Sequence, residues 1–311
     1  MPSLLEYSAY WGAIDIFKFL MMNGAKLGNK TVNYAILGGN LEILHLLEDA
    51  NCSFDASLCA AIQDQRDDIL DYIIDNKNIS FDSDSVCSAI VNLNYRVISR
   101  VLDFLYDHPN DFDNDGITPL IYASINNNIM LVQLLLSIPS IDPNLPDSSN
   151  NNFPLLAAAR CNSVDALQLL LKEPKIKINQ INYLNHSAIM GGSIFGHLKI
   201  VEILGQQKSI DFNIFDHYQR NAFHLATVAD RLDIVKYFMN SNKIQINVQD
   251  SFQNSHFIIA VEIENWKIVE YFLSVCKTCA NIDSICSEIP SMEIKRKFQV
   301  LLLKYRNKLC Q

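Results

Sequence analysis

The sequence predicts an all-α solenoid of stacked helical hairpins, with short β-hairpin fingers in the C-terminal two-thirds of the chain. Three observations predict this fold class. One segment returns nine times along the 311 residues. Each copy contains two short runs of apolar residues at helical spacing, separated by a tight turn. Neither helix of such a pair buries its apolar face alone, so we expect each pair to stack on the next.

One small residue, which we call the anchor, fixes the register of each copy. Two clear copies are DGITPLIYASINNNIMLVQLLL (115–136) and QRNAFHLATVADRLDIVKYFM (219–239). The anchors are Ser8, Ala35, Ala61, Ala89, Ala123, Ala158, Gly192, Ala226 and Ala260. They are spaced by 27, 26, 28, 34, 35, 34, 34 and 34 residues, so a zone of short repeats precedes a zone of long ones.

The repeated pattern resembles that of ankyrin repeats, D-x-x-G-x-T-P-L-H-x-A-A-x-x-G-H followed by I-V and L-L. The best match consists of Asp113, Gly116, Thr118, Pro119, Leu120 and Ala123. Further matches are Gly196, His197, Ile200 and Val201, then Asp216, His224, Leu225, Ala226, Ile234 and Val235. The resemblance covers nearly the whole chain and implies two antiparallel helices in each repeat, with a hairpin finger between repeats.

Residues 1–112 are interpreted as short, acidic repeats. Between Gly24 and Lys30 only about half of the connection expected for the resembled family remains, so we expect bare helical hairpins without fingers. This zone has 16 acidic residues (Asp and Glu) and 7 basic ones (Lys and Arg), whereas residues 113–311 have 18 of each. Its surface is therefore expected to act on partners through its negative field.

Residues 113–279 are interpreted as full-length repeats with fingers. The loops after the second helices repeat as IDPN, IKIN, IDFN and IQIN, ending at Asn144, Asn179, Asn213 and Asn247. At the finger turn the resembled family has a glycine with positive φ, and this chain has Gly116, Asn151, Asn185, Gln219 and Gln253. The segment GGSIFG (191–196) falls in a first helix, where its glycines indicate close helix packing rather than a phosphate cradle.

Residues 280–311 are expected to form capping helices, because terminal repeats need a polar outer face. An apolar stripe runs through Phe298, Leu301, Leu302 and Tyr305. The basic residues of this segment are Lys295, Arg296, Lys297, Lys304, Arg306 and Lys308. A solvated helix face is the favoured interpretation, and an anionic partner or membrane surface is the alternative.

Composition and motifs predict neither catalysis nor a bound cofactor or metal. The net charge of −9 and pI near 5.2 argue against a nucleic-acid binder. Eight irregularly spaced cysteines and the lack of a leader predict reduced thiols in a cytoplasmic chain. The CKTC segment, with Cys276 and Cys279, has the spacing of a zinc pair, but no second CxxC accompanies it. Ordinary buried thiols are therefore the favoured interpretation.

The resemblance implies a scaffold that binds a protein partner along its concave face and finger tips, without catalysis of its own. Two alternatives remain open. In the first, the chain is the substrate-targeting arm of a larger enzyme or complex. In the second, it is a peripheral membrane or cytoskeletal adaptor that acts through its basic tail. We expect no nucleic-acid partner, do not favour a membrane, and expect a monomer unless the uncapped first repeat packs on a neighbour.

Candidate partner-binding residues are those that the resembled pattern leaves free. They are Asn114, Asp115, Ile117, Tyr183, Leu184, His186, Phe195, His217, Tyr218, Arg220, Ser251, Phe252 and Asn254. Tyr183, Tyr218 and Phe252 would lie at adjacent finger tips beside Arg220, a composition typical of interface hot spots. The alternative is that these rings pack on one another and only stabilise the array. His224 is interpreted as a structural residue that hydrogen-bonds within the turn region.

Overall fold

The computed structural model describes residues 2–54, 57–77, 80–241, 243–245, 248–275 and 291–309. Contacts between Cα atoms divide the chain into two compact units. The first unit comprises residues 1–123 and 137–141, and the second comprises residues 124–136 and 142–311. Both units consist of short helices joined by turns.

The first unit is built from paired helices. They are α1 (Leu4–Tyr10), α2 (Ile14–Met22), α3 (Asn29–Gly38), α4 (Leu41–Asp49), α5 (Ser57–Gln63), α6 (Asp67–Lys77), α7 (Ser83–Val91), α8 (Tyr95–Arg100) and α9 (Leu102–Asp107). The next helix, α10 (Pro119–Ile125), is shared between the two ranges. The first helices pack on one another in the order α1, α3, α5, α7. The second helix of repeat four is divided into α8 and α9 at Val101, whose backbone is not helical.

The second unit repeats this arrangement with longer connections. Its helices are α11 (Ile129–Ser137), α12 (Pro154–Arg160), α13 (Val164–Leu170), α14 (Ala188–Phe195), α15 (Leu198–Gly205), α16 (Ala222–Val228), α17 (Leu232–Ser241), α18 (His256–Glu262), α19 (Trp266–Val275) and α20 (Met292–Leu309). The first helices pack in the order α12, α14, α16, α18, and the second helices in the order α13, α15, α17, α19. The predicted all-α solenoid is therefore confirmed.

The anchors mark the turn between the two helices of every repeat. All nine are buried. Four residues after each anchor comes a residue with positive φ, and these are Gly12, Gly39, Gln65, Leu93, Asn127, Asn162, Gly196, Asp230 and Glu264. In several repeats the next main-chain N–H returns to the anchor carbonyl, as from Arg66 to Ala61 (2.9 Å) and from Asn265 to Ala260 (2.8 Å). This is the hydrogen bond of a Schellman helix end, which reverses the chain within a few residues.

A second set of hydrogen bonds joins several of these turns to the preceding repeat. The side chain of Arg66 donates to the carbonyl oxygen of Leu37 (2.8 Å), and Arg231 donates to that of Ile194 (3.0 Å). His197 makes the equivalent contact with Arg160 (2.9 Å). These carbonyls lie at the ends of first helices, where no intrahelical donor remains for them. Repeats are therefore joined by polar contacts as well as by apolar packing.

Connection lengths differ between the two predicted zones. The short repeats are joined by residues 23–28, 50–56 and 78–82, and the long repeats by residues 138–153, 171–187 and 206–221. Within the described parts of the short zone, the repeats are therefore helical hairpins without fingers, as the anchor spacing predicts.

The fingers of the long zone are turns rather than paired strands. Among the described residues, β bridging is limited to one isolated bridge between Gln249 and Ser255. The finger turns contain Gly116, Asn151, Asn185, Gln219 and Gln253, all with positive φ between 57° and 72°. The left-handed positions predicted from sequence are thus confirmed. The β-hairpin character is reduced to this one bridge, because the fingers have few extended residues on either side of the bend.

The glycine pair in α14 allows close packing between helices. A Cβ atom on Gly191 would lie 2.7 Å from Cδ1 of Leu156, and one on Gly192 would lie 3.0 Å from Cγ2 of Ile200. Neither position has room for a side chain without a shift of its neighbours. The interpretation of GGSIFG as a packing motif is therefore supported by the geometry.

The C-terminal helix α20 packs on α18 and α19 and buries Phe298. Lys297 pairs with Glu264 (2.9 Å) and Glu293 (3.2 Å), so one of the basic residues contacts acidic groups of its own chain. The side chain of Tyr305 and the predicted capping segment at 280–290 lie outside the described residues. None of the described helices is both long and apolar enough to cross a membrane.

The left-handed turn at Leu93 predicts an unusual stabilising substitution. Leu93 is exposed and has φ of 52°, a conformation that costs a residue with a Cβ about 1–2 kcal/mol. Leu93→Gly removes this strain and loses little burial, so we expect the free energy of unfolding to rise by about 1 kcal/mol. Val91→Gly is the matched control, because Val91 is equally exposed but helical; it should lower stability by about 0.5 kcal/mol. Urea unfolding of both variants measures the difference, and a loss of stability in Leu93→Gly would contradict the assignment.

Candidate functional site

Each finger is shaped by the acidic or amide residue that opens it. These residues are Asp113, Asp147, Asn182, Asp216 and Asp250. From the second of them onward, one side-chain oxygen accepts two main-chain N–H groups of its own finger at 2.8–3.1 Å. Such Asx-type bonds fix the backbone locally. The side chains at the finger tips therefore project from turns with a defined conformation.

Hydrogen bonds also join neighbouring tips in the second unit. The N–H of Tyr183 donates to the carbonyl oxygen of Asn150 (3.2 Å), and Nε2 of His217 donates to that of Tyr183 (2.7 Å). The N–H of Ser251 donates to the carbonyl oxygen of Tyr218 (2.8 Å). The tips of repeats six to nine therefore form one connected row, which we call the finger row, around Tyr183, Tyr218 and Phe252.

The centre of the finger row is a stack of side chains on Tyr218. The rings of Tyr218 and Phe252 are 6.3 Å apart between centroids and nearly parallel. The guanidinium of Arg220 lies 4.7 Å from the centroid of the Tyr218 ring. Arg220 is held by the buried carboxylate of Asp216, to which Nε (2.9 Å) and Nη2 (2.8 Å) both donate. The ion pair between Arg220 and Asp216 therefore holds the guanidinium in place against the ring of Tyr218.

The tips remain open to solvent although they are connected. Tyr183 is 63% exposed, Tyr218 51% and Phe252 69%. Leu184, His217 and Ser251 are also exposed, and Asn254 is half-buried. The three rings therefore contact neighbouring fingers and also keep a solvent-exposed surface. Packing that stabilises the array does not prevent these rings from contacting a partner.

His186 is the least accessible of the predicted contact residues in the finger row. Its side chain is 16% exposed, and Nε2 lies 3.9 Å from Oδ2 of Asp216. Burial lowers the pKa of His186 below its ordinary value. A neutral, half-buried imidazole of this kind supports the finger and offers a partner little surface.

Phe195 lies apart from the finger row, at the C-terminal end of α14. Arg160 covers its ring at 5.2 Å, and His197 stacks on it with centroids 6.3 Å apart. The ring is 42% exposed. Phe195 is therefore an accessible aromatic residue at a helix end, as predicted, but it belongs to a separate cluster.

Asn114, Asp115 and Ile117 lie in the first unit. The N–H of Asn114 donates to Asp84 (2.6 Å), and its side-chain amide bonds the same carboxylate, so Asn114 ties its finger to α7. Asn114 and Asp115 are exposed, whereas Ile117 is half-buried. The aromatic stack on Tyr218 belongs to the second unit.

A groove of about 530 Å³ lies in the first unit beside Asn114 and Asp115. Among the described residues that line it are four carboxylates (Asp82, Asp84, Asp113 and Asp115) and no basic side chain. Burial and the carboxylates of Asp82 and Asp84 raise the pKa of the Cys59 thiol to about 11. Burial and the carboxylate of Asp113 likewise raise the pKa of Tyr122. Both groups remain protonated near neutral pH, which opposes a nucleophilic role.

Sequence reasoning missed the function of the repeated asparagines. Oδ1 of Asn144 accepts the N–H of Lys177 (2.7 Å), and Nδ2 donates to the carbonyl oxygen of Lys175 (2.9 Å). Asn179 makes the same pair of bonds with the following loop, and Asn213 accepts the N–H of Gln245 (2.9 Å). The signal was the recurrence of asparagine at the end of each loop motif. Asn247 lies outside the described residues.

Two histidines lie in the first helices beneath the finger row. His224 is fully buried; its Nε2 donates to the carbonyl oxygen of Val248 (3.1 Å), and its Nδ1 lies 2.9 Å from Oδ1 of Asn221. This agrees with the predicted structural role. His256 packs edge-on against His224 (5.8 Å) and over Phe223 (4.5 Å), and its inaccessible Nδ1 has no hydrogen-bond partner. Burial lowers the pKa of His256 to about 3.

In the described part of the chain, no group of three or more His, Cys, Asp or Glu side chains is arranged to hold a metal ion. Cys276, Cys279, Cys286 and Cys310 lie outside the described residues. The zinc interpretation of CKTC therefore stays a sequence-based alternative.

Comparison with protein families gives one match. A family model described as ankyrin repeats in three copies matches residues 87–182 and 155–250. Together these ranges extend from 87 to 250, more than half of the 311 residues. A comparison with curated proteins gives no match.

The half-buried imidazole of His256, whose Nδ1 is inaccessible, predicts a loss of stability in acid. As the pH falls below about 6.5, the unfolded chain binds a proton at this residue. The folded chain does so only near pH 3. His256 therefore lowers the free energy of unfolding by about 1.4 kcal/mol per pH unit within this window and has no such effect above it. His256→Phe should remove this contribution.

Urea unfolding of the wild type and His256→Phe at several pH values between 7 and 5 gives the slope of the free energy of unfolding against pH for each protein. If the free energy of unfolding has the same slope against pH in the wild type and in His256→Phe, the pKa of His256 is not lowered in the folded chain.

Proposed function

Because this chain belongs to the ankyrin-repeat family, whose repeats generally serve as protein–protein interaction modules, we propose that it is a non-catalytic scaffold that binds a protein through the finger row. Tyr183, Tyr218 and Phe252 would contact the partner directly. Arg220 would position the ring of Tyr218 from below.

The observation that carries this proposal is the exposed stack on Tyr218. Large aromatic surfaces left open to solvent cost a folded protein solubility, and they are the side chains that supply most binding energy at interfaces. Tyr218 and Phe252 are each more than half exposed, although both are fixed by neighbouring groups. A partner would therefore gain contact area with little loss of side-chain entropy.

The remaining tip residues fit the rim of such an interface. His217 and Ser251 offer polar groups next to the rings, and Leu184 adds apolar surface. Aromatic residues at the centre with polar residues around them are typical of protein interfaces. Asn114 and Asp115 in the first unit, and Phe195 in the second, would contact a partner separately from the stack.

The absence of catalysis is supported by the state of the described nucleophiles. Burial and nearby carboxylates raise the pKa values of Cys59 and Cys87, so neither is poised as a thiolate. The finger row presents exposed rings and a paired Arg220, and an exposed row of this kind provides no closed pocket for a small substrate.

The test is a double substitution in the stack. Proximity labelling in cells with the full chain first identifies the partner, and calorimetry with the purified pair then gives its Kd. Tyr218→Ala with Phe252→Ala should weaken binding by about 2 kcal/mol or more, which is roughly 30-fold in Kd. Stability should change by less than about 1 kcal/mol because both rings are largely exposed. Arg220 is kept, since its removal would leave the buried carboxylate of Asp216 unpaired.

Tyr95→Ala with Tyr106→Ala is the matched control. These rings are exposed to a similar degree but lie on α8 and α9 in the first unit. The control should bind as the wild type does. An unchanged Kd in the stack variant, or a loss of binding matched by a loss of folded protein, would refute the proposal.

A further inference from the structure

The groove beside Asn114 and Asp115 forms where the first full-length finger follows shorter connections. Residues 50–56 and 78–82 join short repeats, whereas residues 108–118 contain the first finger, which precedes α10. The N–H of Asn114 donates to the carboxylate of Asp84 at the start of α7 (2.6 Å), so this finger is held against α7. Side chains of α5, α7 and α10 also line the groove. The recess therefore results from the step in connection length within the first unit.

The shape of the groove is that of a ligand site. Its volume is about 530 Å³, and ligand sites typically enclose about 300–1,000 Å³. Its lining includes apolar surface as well as carboxylates, since Val91 is 44% exposed and the ring of Tyr122 is half-buried. Ligand sites typically combine apolar surface with a few polar groups that select the ligand. The cavity therefore indicates a bound molecule independently of its charge.

The four carboxylates of the groove have no cation beside them among the described side chains. Asp82, Asp84 and Asp113 accept main-chain N–H groups at 2.6–2.9 Å, and these donors are neutral. Asp115 is exposed. The described ion pairs of the first unit involve other residues. Four like charges that line one groove repel one another, and a positively charged group placed among them would relieve this repulsion.

The negative field of the groove acts on its neutral groups. Burial, followed by the carboxylates of Asp82 and Asp84, raises the pKa of Cys59 to about 11. An environment that disfavours a thiolate favours a cation for the same reason. Lysine and arginine fit such a groove, because their methylene stems cover apolar surface such as that of Val91 while their charged ends reach carboxylates.

We propose that the groove binds a segment of a partner protein that carries lysine or arginine side chains. The repeats of this family generally serve as protein–protein interaction modules, which favours a protein segment over a free cation. The described carboxylates and thiols are not arranged to hold a metal ion, so they suit charged side chains that reach them separately. The groove is a second binding surface in addition to the finger row, and it selects its partner by charge.

Fluorescence anisotropy of the full chain with two labelled peptides tests the proposal. The lysine peptide has lysine at alternate positions among alanines, so that in an extended conformation its charges lie on one side. The glutamine peptide has glutamine in place of each lysine. The chain should bind the lysine peptide with a Kd that rises as salt is added. It should bind the glutamine peptide at least about tenfold more weakly.

A double substitution in the groove locates the binding. Asp82→Asn with Asp115→Asn should raise the Kd of the lysine peptide by about fivefold or more, because two of the four charges are lost. Asparagine caps a helix about as well as aspartate, so the hydrogen bond that starts α7 is kept. The melting temperature should therefore stay within a few degrees of the wild type, since both side chains are exposed.

Asp15→Asn with Asp103→Asn is the matched control. Both residues are exposed, lie outside the groove in the first turn of a helix of the first unit, and give the same change in net charge. This variant should bind the lysine peptide as the wild type does. Tyr218→Ala with Phe252→Ala should do so too, which separates this result from the test of the finger row.

Three results would overturn the proposal. The first is equal affinity of the wild type for the two peptides. The second is an equal rise in Kd in the groove variant and its control, which would reduce the binding to the net charge of the chain. The third is tighter binding of free spermine than of the lysine peptide, which would assign the groove to a small polyamine instead of a protein segment.

Discussion

Nine turns with one left-handed residue each set the geometry on which the other contacts depend. At each turn the chain reverses within a few residues and brings the second helix against the first. The buried anchor lies one helical turn earlier, where the neighbouring first helices pack closely. A residue with a Cβ has a steric penalty at positive φ, yet six of the nine positions are not glycine. The packing of the two helices that flank each turn offsets this local strain.

The same geometry explains why the finger tips are suited to recognition. Each finger comes directly before the first helix of its repeat. When successive first helices pack on one another, their fingers therefore lie side by side. Bonds such as those of Asn144 to the following loop, and of His217 to Tyr183, then join each finger to the next. Loops are usually the most mobile part of a protein. Here the loops are hydrogen-bonded to one another by side chains that recur at equivalent positions of the repeats. Rigid loops lower the entropic cost of binding.

The sequence predicted those features that depend on local conformation and repetition. The anchors and the left-handed residues Asn151, Asn185, Gln219 and Gln253 follow from register alone, and the structure confirms them. The short connections predicted for the first repeats agree with the described parts of that zone. Contacts between repeats were harder to foresee. The bonds of Asn144 and the pairing of Arg220 with Asp216 join groups whose relative placement requires three-dimensional coordinates. The one β bridge among the described residues shows the same limit, because pairing depends on how many extended residues each finger retains.

The ion pair beneath Tyr218 has a kinetic consequence. The guanidinium of Arg220 lies 4.7 Å from the centroid of the Tyr218 ring, and its charge is neutralised within the chain by Asp216. A partner approaching the finger row therefore meets aromatic surface rather than an unpaired cation. Electrostatic steering, which raises association rates toward 10⁸–10⁹ M⁻¹s⁻¹, would contribute little at this place. Association at an ordinary rate of about 10⁵–10⁶ M⁻¹s⁻¹ makes the lifetime of the complex, set by how well the rings are covered, the quantity that determines affinity.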